Sequence, residues 1–285
     1  MSFLDRIREL NAHDLSKFIP FFAGEAQIGW IARARVPDLS PYSDVLAVQG
    51  DRIALDARLA EAPARTRAMA GVARALRARG VISRWRDEPY AVVPIADKTL
   101  ASPPLFAIER AAVPFFGIRA FGVHMNGYVR SPRGLALWIA RRSPKSDVHP
   151  GKRDNMVAGG QPAFLSVFDN LAKEAAEEAN IGADLMGRAR SEGYISYCVN
   201  TLEGLSTATM FVFDLELPKE FVPENTDGEI AGFDLIPVRE VMDLVAGSHE
   251  FKPNSNLVIL DFAIRHGVIA PDDPEFEPLH SGLRR

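Results

Sequence analysis

Residues 159–181 read GGQPAFLSVFDNLAKEAAEEANI. From about 167 to 179, Phe168, Leu171, Ala172, Ala175 and Ala179 recur at helical spacing and form one apolar stripe. Ser166, with Asp169 three residues on, is placed to cap the start of this helix, and Asn180 to end it in a left-handed conformation. Glu174, Glu177 and Glu178 stand at i, i+3 and i+4, beside the stripe rather than opposite it. Like charges at this spacing repel, and at the margin of a buried face they are also short of solvent. An acidic helix face that simply meets water is the plain alternative. A hard divalent cation accounts for the cluster better, because Mg2+ prefers carboxylate oxygens and bridges a few acids to phosphates. The preceding strand, glycine pair and tight loop supply the context for such a site.

That context resembles the Nudix box, which runs Gly, five residues, Glu, seven residues, Arg-Glu, an aliphatic residue, any residue, Glu-Glu, any residue, Gly. Counting back from Glu177-Glu178 puts the first Gly on Gly159 and the Arg-Glu pair on Lys173-Glu174. Three positions depart from the pattern: Leu165 stands for the early Glu, Lys173 for the Arg and Asn180 for the last Gly. In the family that Glu and Arg hold loop to helix, so their joint replacement is self-consistent. The phrases WRDEPYAVV, GVHMNGYV, DNMVAGG and DGEIAGF are similar to one Nudix branch in particular. This is the hydrolase part of fungal thiamine pyrophosphokinase fusions and its stand-alone relatives, which carry an N-terminal domain of obscure role.

The resemblance implies a small-molecule diphosphate substrate, hydrolysed to a monophosphate with Mg2+ or Mn2+. Thiamine diphosphate and its oxy and oxo forms are the expected substrates, and ADP-ribose or another nucleoside diphosphate derivative is the alternative. Glu174, Glu177 and Glu178 would hold the metal, with a strand-end carbonyl at Ala158 or Gly159 adding a ligand. Gly159 and Gly160 let backbone approach phosphate closely. Glu177 and Glu229 are both candidates for the general base, with Glu224 and Asp227 as neighbours able to compete. A homodimer is an expected state in the family, although no stretch of this sequence encodes it.

Alternation in FGVHMNGYV sets His124, Asn126 and Tyr128 on one face of a strand and Val123, Met125 and Val129 on the other. The polar face is a candidate substrate wall with Tyr128 stacking on a ring, or a half-exposed face that merely meets water. Arg141, Lys152 and Arg153 flank the loop 143–155 and are candidate diphosphate clamps, or surface charges. Trp30, Trp85 and Trp138 lie in apolar, strand-like stretches and read as core. Cys198, the one cysteine, excludes an internal disulfide. It lies within YISYCVN as a structural thiol, which argues against an isopentenyl diphosphate isomerase and its activated cysteine. A non-catalytic binding module has little reason to keep three clustered acids.

The chain of 285 residues allows one or two domains, and its 47% hydrophobic content suffices for a full core. A net charge of -4 gives no footprint for nucleic acid or an anionic membrane. The arginines of 64–80 fall around a helical register and read as a solvated helix face. No stretch reaches membrane-span or signal-peptide length, so the expectation is a soluble cytoplasmic protein. Residues 1–115 alternate short helices and strands: helices at 2–11 and 64–79, a hairpin at 44–56, a strand at 84–95 and a proline-rich connector at 101–114. From Phe115 the pattern turns to strands, with helices at 167–179 and near the C-terminus. The fold class expected is α+β: a smaller α/β N-terminal domain (1–115) before a Nudix fold (116–285), whose mixed β-sheet packs between helices.

Overall fold

The computed structural model describes residues 2–284. Helix α1 (Phe3–Leu10) begins on Ser2, whose hydroxyl accepts from Leu4 N–H while its own amide donates to Asp5. Strands β1 (Phe18–Ala23) and β2 (Ala26–Ala32), the short helix α2 (Val36–Leu39), strands β3 (Leu46–Gln49) and β4 (Arg52–Leu55), and helix α3 (Ala62–Ala78) follow. The strands form a sheet in the order β2-β1-β4-β3, in which only β1 and β4 run parallel. Helix α3 buries Met69, Val72, Ala73 and Leu76 at helical spacing and leaves its arginines exposed or half-buried.

Two expectations for this region are corrected. The strand over 84–95 is only β5 (Pro89–Val92), because Arg84 and Asp87 take left-handed backbone (φ 56° and 57°) that no strand continues through. The connector over 101–114 holds its partner, β6 (Phe106–Glu109), followed by α4 (Val113–Phe116). Helix α4 stops on Gly117, in left-handed conformation at φ 57°.

The rest of the chain runs β7 (Arg119–Ser131), β8 (Gly134–Arg142), β9 (Arg153–Asn155), β10 (Val157–Gly160), α5 (Val167–Ala179), α6 (Ala183–Met186), β11 (Arg190–Asn200), β12 (Leu205–Glu216), β13 (Ile230–Pro237), α7 (Val238–Gly247), α8 (Pro253–Arg265) and α9 (Phe276–Gly282). Among the described residues the second sheet is ordered β11-β12-β7-β8-β13, with β10 on β7 and β9 on β8. Strand β7 is its spine. It pairs in parallel with β12 from Arg119 to Tyr128, while its other edge pairs first with β10 (Gly122–Met125) and then with β8 (Tyr128–Ser131).

A strand in that position is covered on both faces. Val123, Met125 and Val129 face the core shared with α5, and Tyr128 packs with Phe262 of α8. His124 and Asn126 are 1% and 2% exposed, so the alternation marks two kinds of buried face rather than a wet one and a dry one. Mixed sheet and flanking helices give the α+β architecture that the pattern implies, with an N-terminal domain ahead of it.

Packing does not follow chain order. Ile7 and Leu10 of α1 join the core built by α7, α8 and α9, not that of the first sheet. Arg6, 1% exposed, donates to Val245 O (2.8 Å) and to Ser248 O. The first sheet has its own core, which extends to Phe115, Phe116 and Ile118. No helix among the described residues is long and apolar enough to cross a membrane.

Candidate active site

Helix α5 starts and stops as its sequence dictates. Ser166 Oγ accepts from Asp169 N–H (3.1 Å), and Asn180 caps the far end at φ 53°, ψ 40°. Leu171, Ala175 and Ala179 are fully buried, while Phe168, expected in the same stripe, is 45% exposed. It belongs to the first turn of the helix. The loop entering the helix is fastened by two amides. Gln161 Nε2 donates to Leu165 O (2.8 Å), and Asn170 Nδ2 donates to Gly160 O (2.7 Å) and Gln161 Oε1 (3.2 Å). Leu165 and Lys173 are therefore relieved of the loop-to-helix task that Glu and Arg have in the motif.

The three acids separate by environment. Glu178, 2% exposed, points under β10, where its Oε2 accepts from Ala158 N–H (2.8 Å). Burial pushes its carboxyl well above the ordinary range, with the Ala158 amide opposing and Asp154 and Glu174 adding to the shift. Glu174 lies against Gly159, and a Cβ on that glycine would sit inside its carboxylate. Burial raises Glu174 as well, against the pull of Lys173, while Glu177 and Glu229 add to the rise. Glu177 is more open, and Lys173 Nζ bridges it (2.6 Å) to Glu174 (3.3 Å). The repulsion along this helix is thus offset by a cation from the same helix turn.

Glu174, Glu177 and both glycines line a cavity of about 840 Å³, which Glu229 and Asp227 close from one side. The loop carrying those two is pinned to the end of α5 by Thr226, whose N–H (3.0 Å) and hydroxyl (2.8 Å) both donate to Glu177 O. Glu224 lies off the cavity, with its amide donating to Ala179 O. His124 is at the floor: Asn155 Oδ1 lies 2.8 Å from Nδ1 and Asn254 Nδ2 3.4 Å from Nε2. Asn254 can only donate there, so Nε2 accepts and the proton sits on Nδ1. Burial lowers the ring to about 4, Lys252 adding to the shift, so it is neutral at ordinary pH.

Five residues expected at the substrate stand elsewhere, among them Lys152, whose Nζ donates to His249 O off the cavity. Asn126 is committed to Asp214 Oδ1 (3.0 Å) and Asn155 (2.9 Å) beneath the sheet. Tyr128 donates to Glu216 (3.1 Å) and packs edge-on against Phe262. Arg141 reaches Asp234 at 3.7 Å, and Arg153 bonds Asp234 and Glu250, both at 3.0 Å; neither lines the cavity. Residues in β8 and β9 alternate faces, so the neighbours of these arginines are the ones that turn inward. Arg142 lines the cavity and shares the fully buried Asp154 with Lys252. Burial works to raise Asp154, yet Lys252, His124, Ser255 and Arg142 hold it below the ordinary value. Trp138 and Cys198 are core and partly buried; burial raises the thiol, which lies 3.6 Å from Thr207 Oγ1.

The opposite wall comes from the N-terminal domain. Arg86, Glu88, Tyr90, Arg110, Val113 and Pro114 all line the cavity. The Tyr90 hydroxyl occupies the place that a Cβ on Gly160 would need. Sequence periodicity carried no signal for these residues, since nothing local marks Arg86 or Arg110 as partners of a helix that begins at residue 167.

The family model for a domain of unknown function (DUF4743) matches residues 2–120. Over 286 residues, 99% of the chain, the sequence is 39% identical to Nudix hydrolase 24, chloroplastic, from Arabidopsis thaliana, and covers 77% of that protein. The chain belongs to the Nudix hydrolase family. Nudix hydrolase 20, chloroplastic, from the same plant is 38% identical with the same coverage of both proteins. The chain is thus a Nudix-type diphosphate hydrolase, and the DUF4743 region supplies the cavity wall that faces the degenerate motif.

Proposed function

We propose that this Nudix enzyme hydrolyses the diphosphate linkage of a small organic diphosphate at the cavity between α5 and the N-terminal domain. The observation that carries the reading is that Glu174, Glu177 and Glu229 face one cavity whose remaining ionic groups include Arg86, Arg110, Arg142, Lys145 and Lys252. Acids able to hold a cation share this cavity with cations able to hold phosphate.

A divalent ion fits this donor set. Mg2+ is held by one or two carboxylates together with substrate phosphates and water, not by a closed protein cage. Among the described residues no group of three or more His, Cys, Asp or Glu side chains is arranged to hold a metal. Glu174, desolvated against Gly159, and Glu177 would hold it, with the Gly159 carbonyl as a further candidate ligand and Glu178 as a buried support. When bound, such an ion neutralises phosphate charge and activates water.

Glu229 has the proton-accepting role. Glu177 is tied to Lys173, whereas Glu229 makes no ion pair among the described residues. It takes the proton from the attacking water as the phosphorus–bridging oxygen bond breaks. Gly159 and Gly160 let the Glu174 carboxylate and the Tyr90 hydroxyl close on the backbone beside the cavity, and Phe121, Met210 and Pro114 give the organic group an apolar surface.

Nucleoside diphosphate derivatives of the ADP-ribose type are the first substrate class to test, and thiamine diphosphate with its oxy and oxo forms the second. The deciding assay measures product release from each with Mg2+ or Mn2+, beside Glu177→Gln. Metal-dependent cleavage that disappears in the variant supports the reading and identifies the class. No turnover of any of them overturns it.

A further inference from the structure

We infer that the N-terminal domain supplies a phosphate clamp to this site: the Arg110 guanidinium holds the phosphoryl oxygens that face away from Glu174 and Glu177. The inference rests on the diphosphate-hydrolase reading and extends it to a domain that has no function assigned by its family description.

Arg110 is held in place on several sides. Its amide donates to Glu88 O (2.9 Å) and its Nη1 to Glu88 Oε2 (2.8 Å), and its Cζ lies 5.6 Å from the centre of the Tyr90 ring. Beneath it, Glu109 fixes the segment, because its carboxylate accepts from the amides of Arg86 (2.9 Å), Glu88 (3.1 Å) and Ala111 (3.2 Å). The left-handed residues Arg84 and Asp87 flank Arg86, and such backbone persists only where the surroundings over-determine it.

The clamp meets the catalytic wall at the glycine pair. Gly159 has no side chain because Glu174 fills its place, and Gly160 has none because Tyr90 fills its place. From the Cβ position of Gly160, Arg110 Cζ is 3.4 Å away. A diphosphate in the cavity beside these two residues has the carboxylates at one end and the guanidinium at the other. Glu88 engages one of five N–H donors, and the side chain is 44% exposed at the cavity, so a planar fork of donors remains for phosphate oxygens.

Calorimetric titration of the full-length protein with inorganic pyrophosphate, in EDTA, separates the clamp from the chemistry. Arg110→Gln is expected to weaken binding about 10- to 100-fold, Arg110→Lys to recover part of the loss, and Glu177→Gln to leave binding unweakened. With a hydrolysed substrate, Arg110→Gln should raise KM by a similar factor while kcat changes less. Should Arg110→Gln fail to fold, Arg110→Met, which keeps the stem over Tyr90, carries the same test. Unchanged pyrophosphate affinity in a folded Arg110 variant, or no binding by the wild type without metal, overturns the clamp. Turnover that needs Glu177 but not Arg110 leaves the hydrolase standing and removes the clamp, and Arg110-dependent binding with no turnover does the reverse.

Discussion

The two walls of the cavity are built on opposite principles. The α5 wall is local: capping serine, apolar stripe, three acids and terminal asparagine fall within Ser166–Asn180, and one helix brings them together. The N-terminal wall is assembled at a distance. Arg86, Tyr90 and Arg110 come from an irregular segment, a strand and the residue after a second strand, and Tyr90 and Arg110 reach the glycine pair. The first wall carries charge that must be neutralised, and the second is fixed by backbone hydrogen bonds to one carboxylate, Glu109. Chemistry concentrated in one helix can be recognised from spacing alone, whereas a binding wall spread over several elements becomes visible only when the fold is formed.

The largest effect expected is on the α5 wall. Glu177→Gln should lower metal-dependent turnover by about 10²- to 10⁴-fold with little change in melting temperature, since Glu177 is half exposed and its ion pair with Lys173 is a surface one. A loss of that size from Arg86→Ala with Glu177→Gln nearly neutral would invert the assignment of the walls.

Acid should strike the floor between them. His124 is lowered to about 4 in the folded state from an ordinary value of 6.5, so the unfolded chain binds the proton more tightly. The stability contributed is full above pH 6.5 and is lost as pH falls through about 4, amounting to roughly 3 kcal/mol. Urea unfolding across that window should show the loss, and His124→Gln should remove most of it. Glu178 works in the other direction: its raised carboxyl favours the folded state at low pH and costs stability as pH rises above the ordinary 4.5.

The glycines compare the walls at adjacent residues. Gly160→Ala drives a methyl into the Tyr90 hydroxyl and should cost about 1–3 kcal/mol in denaturant unfolding. Gly159→Ala displaces the Glu174 carboxylate, so its damage should fall on activity. Equal effects of both substitutions on activity and stability would show that the walls are not separable. The smallest change expected is Arg141→Ala, within about 0.5 kcal/mol and with KM unaltered, because its 3.7 Å contact to Asp234 is solvent-exposed and off the cavity.

The course of α5, its caps, the 46–55 hairpin and the β7–β8 turn were all legible, because each depends on neighbours within a few residues. The polar side of β7 was legible as polar, but not as buried. Its concealment depends on α8, more than 120 residues later, whose Phe262 meets Tyr128 and whose Asn254 meets His124. The clamp candidates in the loop were displaced by one position: Arg142, not Arg141, turns inward, and strand phase at a loop margin is set by pairing with β9 and β13. Gln161 and Asn170 replaced the motif's loop-to-helix pair with uncharged amides, and single amides carry no periodic signal.

The seating of α1 has a consequence for biosynthesis. Arg6 and the carbonyl of Val245 that it bonds are separated by 239 residues. At roughly 5–20 residues per second of translation, the guanidinium waits on the order of ten seconds or more before its acceptor is made. During that interval Ile7 and Leu10 have no core to enter, while the first sheet can already close on α3 and its own apolar interior. Helix α1 is thus made well before its partners and docks after the first sheet can close, and its arrival fastens this part of the N-terminal region to the hydrolase core.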